Sequence, residues 1–265
     1  MSVSDLKLPC VLLTNDDGID APGLAVLEAV AAEIADEVWV VAPEHDQSGT
    51  SHSISLHSPL RASRRGERRF AVKGTPGDCV VMAIRHLMGD ARPALVLSGI
   101  NRGANLGVET MFSGTVGAAM TGLLLGVPSI ALSQAFRDRE NVRWDTARAL
   151  APDTIRRLAA IAHETPVCLN VNFPDADASA TGPLTVSRQG AGLVKSIDVV
   201  TGVDPRGLDY HWLQFRRAPN ASSEPDTETG VLRTNRISVT PLQFERTDER
   251  TFATLQAALG SAGGR

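Results

Sequence analysis

A chain of 265 residues has room for one large domain or two small ones, and 43% hydrophobic with 21% charged residues is the balance of a folded chain, which excludes a disordered one. Its 26 basic side chains against 30 acidic ones leave a formal charge of −4, which excludes the global basic footprint of a nucleic-acid or anionic-membrane binder. Cys10, Cys79 and Cys168 are dispersed and form no C-x-x-C pair, so a disulfide framework and a thiolate zinc site are excluded too, and a cytoplasmic setting is expected.

In chain order, the apolar run Cys10–Thr14 predicts a buried strand. Pro22 to Ala35 predicts a helix opened by proline, and Val38–Val41 a second strand, which together make a β-α-β unit. Ile54–Leu60 and Phe70–Val72 are expected to pair as a hairpin around the Arg-rich run 61–69, itself read as a solvated turn. Helices are predicted over Pro76–Met88, Ser113–Leu125 and Asn141–His163, alternating with strands at Ala94–Leu97, Ser129–Ser133 and Val167–Val171. Continuous apolar strands separated by helices imply a parallel sheet covered on both faces. Val116–Leu132, the longest apolar stretch, is broken by Gly117, Thr121, Gly122 and Pro128 and is too short to cross a bilayer, so no membrane association is expected. Beyond Pro174 the texture changes to strands and turns, with a protruding hairpin near Asp204–Phe215, a closing helix over Glu245–Leu259 and a Gly-rich tail. The expected division is therefore an α/β catalytic region over 1–174 and an appendage over 175–265.

Ligands of parallel α/β sheets bind outside the carboxyl ends of the strands, and here those ends are rich in polar residues. The first strand runs into Asn15-Asp16-Asp17-Gly18, the second into Glu44-His45-Asp46-Gln47-Ser48-Gly49, and the Ala94 strand into Ser98-Gly99-Ile100-Asn101-Arg102. Two adjacent carboxylates on a turn suit a hard divalent cation with oxygen ligands; the same pair also suits an acidic first turn ahead of Pro22. Ser48 and Asn101 would complete an all-oxygen set around Asp16 and Asp17, with open positions for water and substrate. Ser113-Gly114-Thr115 opens a helix with free N–H groups and two hydroxyls, which is either an anion site or an ordinary cap. His52 and His57 lie near the Ser48 loop and fit surface positions better than proton transfer. Neither a P-loop nor a G-x-G-x-x-G after the first strand is present, nor a G-x-S-x-G or H-E-x-x-H motif.

Five segments in order, LLTNDDGIDAPGL (12–24), VVAPEHDQSGTSHSISL (40–56), GTPGDCV (74–80), LSGINRGANLG (97–107) and SGTVGAAM (113–120), resemble the SurE survival protein family of 5′/3′-nucleotidases. The likeness implies a Rossmann-like three-layer α/β fold with a parallel sheet, extended by a C-terminal hairpin and helix exchanged between subunits. It implies metal-dependent hydrolysis of nucleoside monophosphates, with one divalent ion, Mg or Mn, on Asp16, Asp17, Ser48 and Asn101. Asp16, Asp17 and Asn101 would then act in catalysis, and Ser113, Gly114 and Thr115 would bind phosphate. Gly77, His45, Gln47 and Asn235-Arg236 depart from the family pattern, which bears on base preference and hairpin contacts. The expected assembly is a homodimer or homotetramer built through the C-terminal region, with no nucleic-acid polymer as partner. A nucleotide-binding regulatory protein with the same pocket and little turnover is the alternative.

Overall fold

The computed structural model of the chain describes residues 6–161, 163–218 and 224–260. Among them nine strands form one sheet in the order β3-β4-β2-β1-β5-β6-β7-β11-β8, and two more form a separate ribbon, β9-β10. The first half holds β1 (Leu8–Thr14), α1 (Pro22–Ile34), β2 (Ala35–Pro43), β3 (Ala62–Arg64), β4 (Arg69–Val72), α2 (Pro76–Met82) and β5 (Leu95–Arg102). It continues with α3 (Gly114–Leu124), β6 (Ser129–Gln134), α4 (Trp144–Ala159) and β7 (Cys168–Phe173). The last third adds β8 (Gly182–Val186), β9 (Val194–Val203), β10 (Asp209–Arg217), α5 (Glu228–Arg233), β11 (Arg236–Leu242) and α6 (Glu249–Gly260).

From β4 through β7 the strands are parallel, whereas β11 adds antiparallel to β7. Alternate residues of β1 explain why its sequence is apolar throughout. Val11 and Leu13 face α1 and α4, packing with Leu24, Leu27, Ile34, Ala151 and Ile155, while Cys10 and Leu12 face α2 with Cys79, Val80 and Ala83. Each large side chain removed from water in this way contributes about 1.5–3 kcal/mol, so the strand is held from both faces. A capping box fixes the start of α2. Thr75 Oγ1 accepts the Asp78 N–H at 3.1 Å, and Asp78 Oδ2 accepts the Thr75 N–H at 2.9 Å.

Three expectations need correction. The hairpin around the Arg run is formed by β3 and β4, so Arg64 and Arg69 lie on its strands and residues 54–60 are irregular. The cause is that Asp78 Oδ1 accepts the Ser55 N–H at 2.9 Å and Thr75 Oγ1 donates to Ser53 O at 2.7 Å, which engages that segment with the start of α2. The helix expected over Pro76–Met88 is α-helical only to Met82 and continues as a π-helical turn, Ala83–Leu87. The strand expected over Ala94–Leu97, β5, extends to Arg102, which places Asn101 on the sheet. The Gly-rich tail lies outside the described residues.

Candidate functional site

From β1 the chain proceeds outward to β2 and β4 on one side and, after α2, to β5, β6 and β7 on the other. The carboxyl ends of β1 and β5 therefore flank the point where strand order reverses, the crevice in which such sheets bind ligands. Asp16 and Asp17 follow β1, and Asn101 sits at the end of β5. A cavity of about 580 Å³ opens there, and Asp16, Asp17, Ser48, Asn101 and Ser113 all line it.

Local geometry explains why both carboxylates serve one place. Asn15 Nδ2 donates to Gly18 O at 2.8 Å, closing the turn, and Gly18 has φ +103°, a conformation that side chains on Cβ disfavour. The N–H of Gln47 then donates to Asp16 O at 2.7 Å, which ties the Ser48 loop to this turn. Asp46 Oδ1 accepts the Ser48 N–H at 2.7 Å and sets that loop's curvature. Asn101 Nδ2 donates to Gly103 O at 2.8 Å, leaving its oxygen as the open acceptor.

Asp16 is only 4% exposed. Burial pushes its carboxyl up to about 7, opposed by the Thr115 hydroxyl, which donates to Oδ1 at 2.5 Å, and reinforced by the neighbouring charge of Asp17. Asp17 is raised as well, chiefly by burial and also by Asp46, against the lowering effects of the Arg102 N–H, donated to Oδ2 at 3.2 Å, and of the Arg102 and Arg139 charges. Neither aspartate forms an ion pair among the described residues. Two half-to-fully buried carboxylates outside any ion pair among the described residues, facing a cavity with a hydroxyl and an amide oxygen, fit a hard divalent cation. No three His, Cys, Asp or Glu side chains converge among the described residues, so the donor set would be two carboxylates with neutral oxygens.

The Ser113-Gly114-Thr115 turn differs from the expectation. Thr115 is fully buried, and its hydroxyl, expected to meet an anion, donates to Asp16 instead. Gly114 lies so close that a Cβ there would approach Asp16 Cβ to 2.7 Å, and Ser113 Oγ caps α3 by accepting the Val116 N–H at 3.1 Å. Neither Gly114 nor Thr115 lines the cavity, so this helix start acts on Asp16, the positive end of α3 against a carboxylate. His52 is half-buried beside a different cavity near Arg246, and His57 is exposed; neither lines the candidate site.

The remaining wall was missed by reading strand ends. Arg137 and Arg139 from the β6–α4 loop, Phe215 and Arg217 from β10, and Thr229 and Arg233 from α5 all line the cavity. Arg137 and Arg139 follow the carboxyl end of β6 without a motif that marks them, and Phe215, Arg217, Thr229 and Arg233 reach the site only through the tertiary path of the last third. Beneath them lies a buried amide layer. Asn172 Oδ1 accepts the Asn105 N–H at 2.9 Å, Asn105 Nδ2 donates to Ser133 Oγ at 3.0 Å, and Asn170 Nδ2 donates to Asn105 O at 2.9 Å. Asn105 belongs to the LSGINRGANLG segment, and the layer anchors the loop that follows Asn101.

The profile of the family described as Survival protein SurE matches residues 11–196. The chain is 62% identical over 250 residues to 5′-nucleotidase SurE 1 of Burkholderia lata, covering 94% of this chain and 96% of that protein. It is 48% identical over 254 residues to 5′-nucleotidase SurE of Methylobacterium nodulans, covering 94% and 99%. The crystal structure of the SurE protein from Aquifex aeolicus superposes with a TM-score of 0.80 at 33% identity, covering 94% of this chain and 99% of that one. With the sheet, the switch-point crevice and the sequence in agreement over nearly the whole length, the chain belongs to the SurE family.

Proposed function

We propose that this protein is a metal-dependent phosphomonoesterase that hydrolyses nucleoside 5′-monophosphates, and 3′-monophosphates in addition. The observation that carries the reading is the pair of buried Asp16 and half-buried Asp17 at the switch-point crevice, with no ion pair among the described residues and with Ser48 and Asn101 lining the same cavity. The names of the similar proteins, 5′-nucleotidases, support the substrate class. Asp16, Asp17, Ser48 and Asn101 would hold one Mg or Mn ion, which when bound supplies charge neutralisation at the phosphate and a more acidic water. Thr115 and the first turn of α3 keep the Asp16 carboxylate aimed into the cavity. Arg102 and Arg139, the cations that act on Asp17, supply positive charge for the dianionic ester, and Ser113 lies at the cavity edge.

Phosphate release from 5′- and 3′-AMP, measured with Mn, with Mg and in EDTA, tests the reading. Release with either ion and none in chelator is the expected outcome; full activity in chelator overturns the metal requirement. Tight nucleotide binding without release would favour a regulatory binding protein. We further propose a cytoplasmic homodimer or homotetramer joined through the C-terminal region, supported by the exposed apolar side chains of the ribbon and α6.

A further inference from the structure

Three of the chain's 7 phenylalanines, Phe112, Phe136 and Phe215, line the cavity that holds Asp16 and Asp17. In a sequence with only 4% aromatic residues this is a concentration, and all three are half-buried, outside the hydrophobic core. They reach the cavity from separate places: the turn before α3, the β6–α4 loop and the root of the β9-β10 ribbon. Phe112 and Phe215 form a tilted pair with ring centroids 5.4 Å apart and an angle of 53°. The Arg217 guanidinium lies 5.7 Å from the Phe215 centroid and ion-pairs with Glu109 at 3.8 Å, while Glu109 Oε1 accepts the Leu193 N–H at 3.2 Å. These contacts fasten the ribbon root to the wall beside the α3 turn. Phe136 packs on Gly103, where a Cβ would come within 3.2 Å of its ring, two residues past Asn101.

We propose that Phe112, Phe136 and Phe215 form the nucleobase subsite and make this chain select nucleotides over phosphomonoesters that lack a base. The inference rests on the nucleotidase reading. About 580 Å³ is within the range that encloses a ligand of nucleotide size, and the cavity contains both the carboxylate end and the three rings. Aromatic rings stack on any base because every base has a π face, and phenylalanine carries no donor or acceptor to read base edges. The subsite therefore responds to the size of the ring system, favouring purines over pyrimidines without separating adenine from guanine.

Two measurements test this. The first is the ratio of kcat/KM for 5′-AMP to that for ribose 5-phosphate under the same metal. It should exceed one in the wild type, fall about tenfold in Phe215→Leu and in Phe136→Leu, and persist in Phe215→Trp, as expected for one base–ring stacking contact. The second is the affinity for adenosine in chelator, which requires neither metal nor hydrolysis and should weaken about tenfold in the same two leucine variants. Phe215→Leu keeps apolar bulk at the ribbon root, and Phe136 lies away from the ribbon, so a folding or assembly defect in the first variant leaves the second to decide. An unchanged ratio in Phe136→Leu and Phe215→Leu, or unchanged adenosine affinity, overturns the subsite. If neither ester is hydrolysed, the nucleotidase reading fails, and adenosine binding still decides on the rings.

Discussion

The hydroxyl of Thr115 meets Asp16, a carboxylate that is buried and follows a different strand, so a residue at a helix start determines how a strand-end group is presented. Thr115→Val is nearly isosteric and removes only that donor. Partners of this kind typically alter metal affinity 10–100-fold, so Mn affinity should fall about tenfold or more, with activity recovering at high Mn. Titration calorimetry checks this; unchanged affinity would leave Thr115 with a packing role alone. Asp16 also yields a pH prediction. Its carboxyl holds its proton to about 7, so between the ordinary aspartate range and pH 7 the folded metal-free protein binds a proton that the unfolded chain has lost. Stability in chelator should therefore fall as pH rises through that window, by on the order of 4 kcal/mol at most from Asp16, and Asp16→Asn should reduce the slope to what Asp17, Glu109 and Glu228, also raised by burial, contribute. Denaturant melts at pH 5 and pH 8 check the sign. At this scale it was legible in the sequence that Asp16, Asp17, Ser48 and Asn101 share one cavity, because polar residues at strand ends mark themselves by type. The direction of the Thr115 hydroxyl was not legible, since a cap, an anion donor and a carboxylate partner are the same residue in the chain and differ only in what folds against it.

Among the elements, α5 has a role out of proportion to its length. Glu228, fully buried, accepts the Gly107 N–H at 3.0 Å through Oε1 and the Gly190 N–H at 2.6 Å through Oε2, joining the turn Gly107–Met111 to the segment ahead of β9. That turn leads directly into Phe112 and Ser113, so the clasp positions one wall of the cavity. Glu228→Gln keeps the volume but offers an NH₂ to one of the two amides, leaving a buried donor unpaired at a cost of about 1–3 kcal/mol. The expected result is a melting temperature lower by several degrees together with a higher KM for nucleotide; an unchanged melt would show that the clasp is dispensable. Elements with strong periodicity, such as β1, α1, α3 and β7, were readable to within a residue or two. The hairpin was misplaced because Asp78 engages Ser55 and Thr75 engages Ser53 from outside that segment, and contacts across 23 and 22 residues leave no local pattern.

For the whole molecule, the β9-β10 ribbon is the part that a single chain leaves incomplete. Its antiparallel register puts Val199, Leu213 and Ile197 on the face that carries Phe215, and Val200 with Trp212 on the other. Trp212 is 68% exposed and Leu213 76%, so both faces present apolar surface to water. An isolated two-stranded ribbon is marginal in water, and these side chains would each contribute about 1.5–3 kcal/mol if covered. Helix α6 repeats the situation, with Phe252, Leu255 and Leu259 exposed. The proposed homodimer or homotetramer would cover both elements with a second copy of the chain, which predicts a dimer or tetramer at micromolar concentration by light scattering. Trp212→Asp and Leu213→Asp should shift the mass toward one chain, because a carboxylate on either face must be desolvated for the contact to form. Since Phe215 and Arg217 continue the ribbon into the cavity, loss of assembly should also raise KM for nucleotide. A stable monomer of the unmutated chain, or aspartate variants that assemble as before, would show that the ribbon is covered by something other than a second copy.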